Sequence, residues 1–429
     1  MKIEMARGLY SVASYLAAPF AIVRLAAKSG SHSGYRAHMG ERFGFIDRSG
    51  SGSGQRHIHF HAVSVGETLA AAPMVRRLAE AHKDWSFSVS VTTPTGRDQA
   101  VKHLSDIADT CFLPFDLPGS MRRFLTRIQP DILVMVETEL WPNLIDQCHR
   151  RGIQTLLMNA RMSEKSAISY QKISPITRPM MAKLDLVLAQ FETDAQRFKD
   201  LGCKSDKVLC TGNVKFDIQL TDELKQSANR FRNLWQLQGR QVWIAASTHP
   251  GEEALLLDIH KRLIEQYPDL LMILVPRHPE RKKELQQLAL DLKLSSALRS
   301  QTEGSDSLPQ VLIVDTLGEL NLFYGLADIA FIGGSLIPHG GHNPIEPALW
   351  NLPILTGSYC HNFSQITQQL VQAGSLVQCQ GSGQLLVELG ALLQDESAQA
   401  FRGGKSSAVL AANQGSLERQ QKQIEGFLV

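Results

Sequence analysis

A glycine-rich segment at residues 340–346 combines residue types that bind nucleotide phosphates. It follows an apolar run at 327–332 and the turn Gly333-Gly334-Ser335. Glycine lets the backbone approach a phosphate closely, and the unpaired N–H groups at the start of a helix, predicted here from Pro344, attract an anion. Glu346 would lie near the start of that helix, where its carboxylate can accept hydrogen bonds from a ribose diol. The segment indicates the donor side of a nucleotide-sugar site, with an ordinary strand-loop-helix turn as the alternative.

Two glutamates, Glu137 and Glu139, follow an apolar run at 132–136 that is predicted to form a strand. We expect at most one of the two side chains to enter a site, and we choose Glu139 as an active-site carboxylate. The alternative is that either acid caps the turn leading to Trp141.

Three histidines, His57, His59 and His61, alternate along one predicted strand and therefore share a face. Adjacent rungs of a single strand are too far apart to converge on one ion without other ligands. The 6 cysteines form no Cys-x-x-Cys pair and no metal-ligand spacing. We therefore expect free thiols and no bound metal.

Alternating apolar runs and helical patterns predict strands and helices in turn, which is typical of a doubly wound parallel sheet. The fold class is α/β, with two Rossmann-like domains that face a cleft. Ligands of such sheets bind beyond the carboxyl ends of the strands, so the loops that follow the strands should carry the site. The predicted strands are 58–63, 87–92, 132–136, 155–158 and 184–189 in the N-terminal half, and 242–246, 271–275, 311–314, 329–332 and 353–355 in the C-terminal half.

A polar, charged stretch at 222–226 separates the two series of strands. We predict a membrane-anchor helix at 1–30, an acceptor-binding domain at 31–215, a linker at 216–240 and a nucleotide-sugar-binding domain at 241–429. The last helix is a candidate to pack back on the N-terminal domain.

The N-terminal segment at 9–23 contains no charged residue and is bracketed by Arg7 and Arg24. A helix of this length reaches about 22 Å, short of the roughly 30 Å hydrocarbon core of a bilayer. Its large apolar residues fall on one face, which favours a helix lying in the membrane interface, although a tilted span remains open. A buried core helix is the alternative, and a signal peptide fits less well because the segment lacks a good cleavage site. The residues on this face are Leu9, Val12, Leu16, Phe20 and Val23.

Composition excludes some classes of function. The chain has 429 residues, 43% of them hydrophobic, which is enough for two cores. A formal net charge of +2 without a basic tract gives no indication of nucleic-acid binding.

Five strings in order along the chain resemble one known family, the 3-deoxy-D-manno-octulosonic acid (Kdo) transferases of lipid A biosynthesis. The family is similar to GT-B glycosyltransferases in fold. The resemblance implies CMP-Kdo as donor, the lipid A precursor lipid IVA as acceptor, inversion of the anomeric centre, no catalytic metal or cofactor, and a place on the cytoplasmic face of the inner membrane. The strings are Gly-Glu-Arg-Phe-Gly from Gly40, Ser-Val-Gly-Glu-Thr from Ser64, Glu-Thr-Glu-Leu-Trp-Pro-Asn from Glu137, Pro-Arg-His-Pro-Glu-Arg from Pro276, and residues 340–346.

The resemblance assigns roles to Glu41 and His61, and the chemistry of the residues that follow the strands predicts the other site residues. Glu41 matches the family's general base, and Glu139 is our second active-site carboxylate. His61 is expected at the mouth of the cleft. The predicted donor-binding residues are Ser247, Thr248, Arg277, His278, Gly318, Glu319, Gly334, Ser335, Gly341, Asn343 and Glu346. The predicted acceptor- or Kdo-binding residues are Arg42, Ser64, Gly66, Glu67 and Arg161. A basic margin for the acceptor's phosphates would come from Arg7, Arg24, Lys28, Arg36, Arg42 and Arg48.

Two other classes remain open: a GT-B enzyme that uses a UDP-sugar, and a membrane-tethered binding protein without turnover. The sequence does not determine the number of Kdo residues transferred, because that number depends on the shape of the acceptor pocket.

Overall fold

The structure is a computed structural model that describes residues 2–28, 33–46, 55–302 and 308–427. Arg48 and the Ser/Gly run at 49–54 lie outside the described residues, as does the side chain of Lys28. The chain divides into two compact units, Met1–Asp217 with Gln414–Val429, and Ile218–Asn413. We call them the N-terminal and C-terminal domains.

In the N-terminal domain, parallel strands pair in the order β3-β2-β1-β4-β5-β6-β7. The strands are β1 (His57–His61), β2 (Ser86–Val91), β3 (Ala108–Phe112), β4 (Ile132–Val136), β5 (Gln154–Ala160), β6 (Leu186–Ala189) and β7 (Val208–Cys210). The helices are α1 (Lys2–Lys28), α2 (Val65–Ala81), α3 (Pro94–Leu104), α4 (Pro118–Ile128), α5 (Pro142–Arg150), α6 (Glu164–Lys172), α7 (Ser174–Met181) and α8 (Glu192–Leu201). Short 3-10 turns cover Ser33–Tyr35, Glu41–Phe43, Ser205–Lys207 and Val214–Asp217.

In the C-terminal domain, parallel strands pair in the order β10-β11-β9-β8-β12-β13-β14. The elements in chain order are α9 (Asp222–Leu234), β8 (Val242–Thr248), α10 (Glu253–Ile264), β9 (Leu271–Pro276), α11 (Lys282–Asp291), β10 (Ser296–Leu298), β11 (Val311–Ile313), α12 (Leu320–Tyr324), β12 (Ile329–Ile332), α13 (Ile345–Leu349), β13 (Ile354–Thr356), α14 (Ser364–Ala373), β14 (Leu376–Gln378), α15 (Ser382–Gln394) and α16 (Glu396–Asn413). The 3-10 turns are Pro279–Arg281, Arg299–Gln301 and His361–Phe363.

The predicted α/β class is confirmed, because both sheets are parallel and the strands alternate with helices along the chain. Central strands such as β4 are continuous apolar runs that are buried along their whole length, as expected for a sheet covered on both faces. Side chains of the first sheet contribute to two separate hydrophobic clusters. The strands that sequence patterns did not predict, β3, β7, β10 and β14, lie at the edges of the two sheets.

The C-terminal helix α17 (Ser416–Gly426) belongs to the N-terminal domain. The Gln420 side chain accepts a hydrogen bond from Asn159 N at 3.0 Å and donates one to Gly212 O at 3.0 Å. The Asp217 carboxylate accepts the backbone N–H of Leu417 at the start of this helix. Helix α17 is therefore a structural part of the N-terminal domain.

The segment at 216–240, which we expected to be a linker, contains helix α9. Its Arg232 contacts Asp328 of the C-terminal domain at 3.3 Å. Trp235, which follows the helix, is 1% exposed. From Ile218 onward, the segment thus belongs to the C-terminal domain.

Helix α1 has two unlike sides. Its polar side binds the N-terminal domain, where Tyr10 donates a hydrogen bond to Asp116 at 2.9 Å and Ser11 donates one to Asn143 at 3.0 Å. Its other side is apolar and open: Leu16 is 70% exposed and Phe20 is 78% exposed. Met5–Ala27 is long and apolar enough to cross a membrane by length and composition. The predicted apolar face is therefore present on the surface.

Both sheets reverse their strand order next to their first strand. The reversal lies between β1 and β4 in the N-terminal domain and between β8 and β12 in the C-terminal domain. A crevice opens at such a point because the two connecting segments leave in opposite directions. The loops after these four strands carry most of the motifs singled out in the sequence.

Candidate active site

The Glu41 turn is a short 3-10 segment, Glu41–Phe43, closed by Gly44. Gly44 has φ +82°, and a Cβ there would lie 2.4 Å from Ser120 O, so the turn requires glycine. The Glu41 carboxylate points to the edge of the first sheet. Its Oε2 accepts hydrogen bonds from Phe112 N at 2.6 Å and from Arg97 at 2.7 Å. Glu41 is therefore a half-buried carboxylate in a fixed orientation, and the arginine that pairs with it is the distant Arg97 of α3.

Arg42 does not offer its charge to a ligand. It is 4% exposed, donates to Thr92 O at 2.7 Å, and lies 3.9 Å from the centre of the Phe112 ring. Burial lowers the pKa of this guanidinium to about 10. The predicted acceptor contact of Arg42 does not suit this position, because the side chain fastens the Glu41 turn to the sheet.

Helix α2 begins after β1 with a reciprocal cap. The Glu67 carboxylate accepts the Val63 N–H at 2.7 Å and the Ser64 hydroxyl at 2.9 Å. The Ser64 side chain in turn accepts the Glu67 N–H at 3.5 Å. This capping box already satisfies the helix terminus with a carboxyl group. The side chains of Ser64 and Glu67 are therefore engaged with each other, and the binding role predicted for them and for Gly66 stays a prediction.

Glu67 lies close to the two glutamates that follow β4. Burial, together with the charges of Glu139 and Glu137, raises the pKa of Glu67 to about 8. Glu139 accepts a hydrogen bond from Trp141 Nε1 at 2.9 Å, and Glu137 pairs with Lys215 at 2.8 Å. The strand ends at Val136 and Glu137 has φ +59°. Both carboxylates therefore act on the pKa of Glu67, and the choice of Glu139 as the active-site carboxylate stays a prediction.

The three histidines of β1 bind serines of the neighbouring strand β2. His57 and His59 each contact two serine hydroxyls at 2.7–2.8 Å. His61 is fully buried, so it does not lie at an open mouth as predicted. Its Nε2 lies 3.8 Å from Glu139 and has no hydrogen-bond partner among the residues that the structure describes. Arg161, just beyond β5, donates its backbone N–H to Glu137 O at 3.4 Å.

Glu252 joins the two loops at the reversal point of the second sheet. Its carboxylate accepts His249 N at 3.0 Å, Gly334 N at 2.5 Å and Leu336 N at 3.3 Å. Glu252 is fully buried, and burial raises its pKa. Gly341 N donates to Gly334 O at 2.8 Å, which connects the loop after β12 to the glycine-rich segment. The Glu252 carboxylate therefore joins the loops after β8 and β12, and one backbone hydrogen bond joins the loop after β12 to the glycine-rich segment.

The glycine-rich segment has the backbone that the sequence indicates. Gly340 and Gly341 have φ +108° and +72°. Helix α13 begins at Ile345 and has only 5 residues. Glu346 accepts a hydrogen bond from Asn343 at 3.1 Å; burial raises its pKa, and the positive charge of Arg277 opposes the rise.

Three histidines of these loops, His249, His339 and His342, lie close together. Nε2 of His249 lies 2.8 Å from Nε2 of His342, and the ring of His339 is 3.8 Å from that of His249, centre to centre. Burial, helped by the positive charge of Arg277, lowers the pKa of His249 and of His342 to about 4. Ligand atoms of the three residues lie within 4.8 Å of one another, so the cluster has the spacing of a metal site.

Several residues that we predicted to bind the sugar donor have side chains that are buried or paired within the protein. Thr248 is fully buried and donates to Glu253 at 3.1 Å. Ser335 is also fully buried and accepts Gly357 N at 2.7 Å. Both hydroxyls therefore serve the fold, and their predicted donor contacts do not suit these positions. Glu319 pairs with Arg299 at 3.0 Å.

Other residues that we predicted to bind the sugar donor are exposed or half-buried. Arg277 is exposed and its charge acts on His249, His342 and Glu346, so it lies beside the glycine-rich segment. His278 is exposed next to it and contacts Glu280 at 3.3 Å. Ser247 has φ +57°, an uncommon conformation for a residue other than glycine at the end of a strand. Gly318, with φ +84°, precedes the short helix α12.

Comparison with known proteins decides the family. Residues 37–218 match a family described as 3-deoxy-D-manno-octulosonic-acid transferase. The chain is 38% identical to the 3-deoxy-D-manno-octulosonic acid transferase of Haemophilus influenzae over 92% of either chain. The chain belongs to the Kdo transferase family. It is therefore a glycosyltransferase. The transferase of Bordetella pertussis is 30% identical, with 99% of this chain and 100% of the relative covered.

Solved structures of low identity share the fold of this Kdo transferase. The UDP-GlcNAc 2-epimerase of Neisseria meningitidis bound to UDP-GlcNAc has a TM-score of 0.58 at 14% identity, over 87% of this chain and 99% of that chain. A glycosyltransferase of Rickettsia africae has a TM-score of 0.57 at 14% identity, over 87% and 98%. These likenesses confirm the predicted GT-B-like architecture of two parallel-sheet α/β domains.

Sequence reasoning missed three features of this family member: Arg97, Glu252 and the histidine cluster. Arg97 follows the Thr93-Pro94-Thr95-Gly96 string at the start of α3, and nothing in the sequence pairs it with Glu41, 56 residues away. Glu252 follows the Ser247-Thr248-His249 string closely. An acid near the start of a helix is the signal that could have drawn attention to it.

Proposed function

We propose that the chain transfers Kdo from CMP-Kdo to the lipid A precursor lipid IVA, with inversion of the anomeric centre and without a metal, at the cytoplasmic face of the inner membrane. The observation that carries this proposal is the position of Glu41. The family motif places a carboxylate in a turn fastened by Gly44 and Arg42, and two donors fix one of its oxygens.

Glu41 acts as the general base in this proposal. Its Oε2 is held by Phe112 N and Arg97, whereas Oε1 has longer contacts with Arg97 at 3.4 Å and with His38 at 3.2 Å. We assign Oε1 as the proton acceptor. The acceptor hydroxyl oxygen forms a bond to the anomeric carbon of Kdo, and its proton passes to Oε1. The bond from that carbon to the CMP oxygen breaks, and its electron pair leaves with CMP.

The donor is held by the loops at the reversal point of the second sheet. The exposed Arg277 supplies positive charge for the phosphodiester or the Kdo carboxylate. Backbone N–H groups of the glycine-rich segment add to that field, and Glu346 accepts hydrogen bonds from the ribose diol. These groups stabilise the negative charge of departing CMP.

The open apolar side of α1 supports attachment to the membrane, which brings a lipid-borne hydroxyl to the domain that carries Glu41. Interfacial binding buries such a face among the acyl chains while the polar side stays bound to the protein. In this proposal the N-terminal domain lies against the membrane leaflet that contains the lipid acceptor.

The test is an incubation of the purified full chain with lipid IVA and CMP-Kdo generated in situ, in detergent with EDTA, read by mass spectrometry. We expect product that gains one or more Kdo units. Glu41→Gln should lower turnover by at least about 100-fold, the usual contribution of a general base, while CMP binding and the melting temperature stay unchanged. The control is Glu80→Gln, which alters an exposed acid on α2.

Each failure has a distinct meaning. CMP binding without product from the wild type would exclude lipid IVA as the acceptor. Full activity of Glu41→Gln would exclude Glu41 as the base. Binding of UDP in preference to CMP would assign the chain a different donor.

A further inference from the structure

A cavity of about 380 Å³ in the N-terminal domain is lined by four arginines. We call it the arginine pocket and define it by Phe45, Arg122, Arg123, Arg127 and Arg151. No carboxylate contributes to its lining among the described residues, and none of the four guanidinium groups forms an ion pair with a carboxylate there. Four like charges around one cavity repel one another, and an anion bound among them would relieve that repulsion.

Hydrogen bonds to the backbone hold two of the arginines in place. Arg123 donates two bonds to Phe43 O, at 2.7 and 2.9 Å. Arg151 donates to Arg122 O at 2.9 Å and to the Thr126 hydroxyl at 3.1 Å. Arg122 and Arg127 are exposed on α4. The pocket thus has a fixed base and two accessible cations, an arrangement suited to an oxyanion with several acceptor atoms.

The arginine pocket lies directly beside the Glu41 turn. Phe43 O, which receives both bonds from Arg123, belongs to the same 3-10 turn as Glu41. Gly44 packs against Ser120, in the first turn of α4. A group bound in the pocket would therefore lie next to the segment that carries the proposed base.

Helix α1 reaches the same element. Gly119 N, at the start of α4, donates to the Tyr15 hydroxyl of α1 at 3.4 Å. The Phe45 ring is 63% exposed and lies 4.7 Å from the Arg123 guanidinium, so apolar surface borders the cations. Cations, an exposed ring and the neighbouring apolar helix together fit an anionic group carried by a lipid.

We propose that the arginine pocket binds a phosphate monoester of the lipid acceptor and thereby positions the acceptor hydroxyl at Glu41; this inference rests on the proposed function. A phosphate monoester fits because it has three oxygens and close to two negative charges at neutral pH, which matches several guanidinium forks. The pocket determines acceptor affinity and contributes nothing to donor binding.

The test uses Arg122→Gln/Arg127→Gln, which removes the two exposed cations and keeps the backbone contacts of Arg123 and Arg151. The matched control, Arg77→Gln/Arg230→Gln, removes the same charge from exposed positions elsewhere. We expect the pocket variant to raise the KM for lipid IVA by about 10- to 100-fold, on the order of tenfold for each lost charge-assisted bond. The KM for CMP-Kdo should stay within about twofold of wild type, and the control should match wild type.

Direct binding of lipid IVA in detergent micelles, measured without donor, keeps the test independent of turnover. The pocket variant should bind this probe about 10- to 100-fold more weakly, and a lipid IVA analogue that lacks the phosphates should bind wild type and variant alike. Equal binding of lipid IVA by both proteins would overturn the proposal.

Co-sedimentation with vesicles tests whether the arginine pocket instead binds the phosphate of bilayer headgroups. Vesicles of phosphatidylcholine alone are compared with vesicles that also contain phosphatidylglycerol. Loss of binding to the anionic vesicles, with lipid IVA affinity unchanged, would assign the pocket to the bilayer headgroups and overturn the acceptor assignment. A wild type that binds lipid IVA through the pocket but makes no product would overturn the proposed function alone.

Discussion

At the scale of single residues, Glu67 and Glu139 are the same residue type in different surroundings. Glu67 is enclosed at the start of α2, and burial raises its pKa to about 8, so it keeps its proton at neutral pH. Glu139 accepts a bond from an indole N–H and lies beside the buried ring of His61. A protonated carboxyl can also donate a hydrogen bond, which an ionised one cannot. Glu67 is thus a neutral polar group within an otherwise acidic cluster.

The pKa of Glu67 has a consequence for stability. Since the folded-state pKa is above that of the unfolded chain, its stabilising contribution is complete below the unfolded pKa and is lost as pH rises through about 8. Glu67→Gln removes this dependence. We expect the free energy of unfolding of wild type, relative to the variant, to fall by about 4 kcal/mol between pH 5 and pH 9, because the pKa of Glu67 is about 8 in the folded chain and near 4.5 in the unfolded one.

Urea unfolding of both proteins at several pH values measures the difference. Glu80→Gln on the exposed side of the same helix is the control and should track wild type at every pH. A constant difference between wild type and Glu67→Gln would mean that Glu67 has the same proton affinity in both states.

Local sequence could identify the loops of the site but not the direction of their side chains. Thr248 ends β8 and Ser335 lies in the loop after β12, at the reversal point, yet both hydroxyls turn inward to the fold. Arg97 binds Glu41 across a long sequence separation that no local pattern contains. The order of strands brings such residues together, and this order is a property of the whole sheet.

At the scale of elements, central strands could be predicted and edge strands could not. A central strand is covered on both faces and paired on both sides, so it is a continuous apolar run such as Ile132–Val136. An edge strand has a free side. β3 contains Asp109, which is exposed, and β14 has buried Leu376 followed by two half-buried residues. These strands form because a neighbour supplies hydrogen bonds, and their own composition gives little signal.

Helix α17 supports a prediction at this scale. Gln420 is fully buried and makes hydrogen bonds to Asn159 N and Gly212 O in the body of the N-terminal domain. Gln420→Ala leaves both backbone groups without partners, which should destabilise the protein by about 1–3 kcal/mol. Gln423→Ala, an exposed change on the same helix, is the control.

Chemical denaturation followed by circular dichroism gives both values. Equal stability of Gln420→Ala and Gln423→Ala would show that α17 contributes nothing through this side chain. A loss confined to Gln420→Ala would show that residues near the C-terminus hold the N-terminal sheet.

At the scale of the whole molecule, α1 packs its polar side on the N-terminal domain and exposes its apolar side. Asp116 accepts hydrogen bonds from Asn143 N and Leu144 N at the start of α5, and it also accepts the Tyr10 hydroxyl. The residue that caps α5 thus also binds α1. The contacts lie on the polar side of α1, so membrane contact through the other side leaves them intact.

The apolar side of α1 gives the last prediction. Leu16→Glu/Phe20→Glu places two charges on the exposed face without touching Tyr10 or Ser11. Each charge costs on the order of 2–3 kcal/mol inside a membrane and less at its surface. We expect the variant to move from the membrane fraction to the soluble fraction, with the same melting temperature in detergent and the same CMP affinity. Leu317→Glu, which changes an 84% exposed leucine of the C-terminal domain, should stay with the membrane fraction as wild type does. Retention of Leu16→Glu/Phe20→Glu in the membrane fraction would mean that another surface holds the protein there, whereas a lowered melting temperature would place this face of α1 in contact with the protein itself.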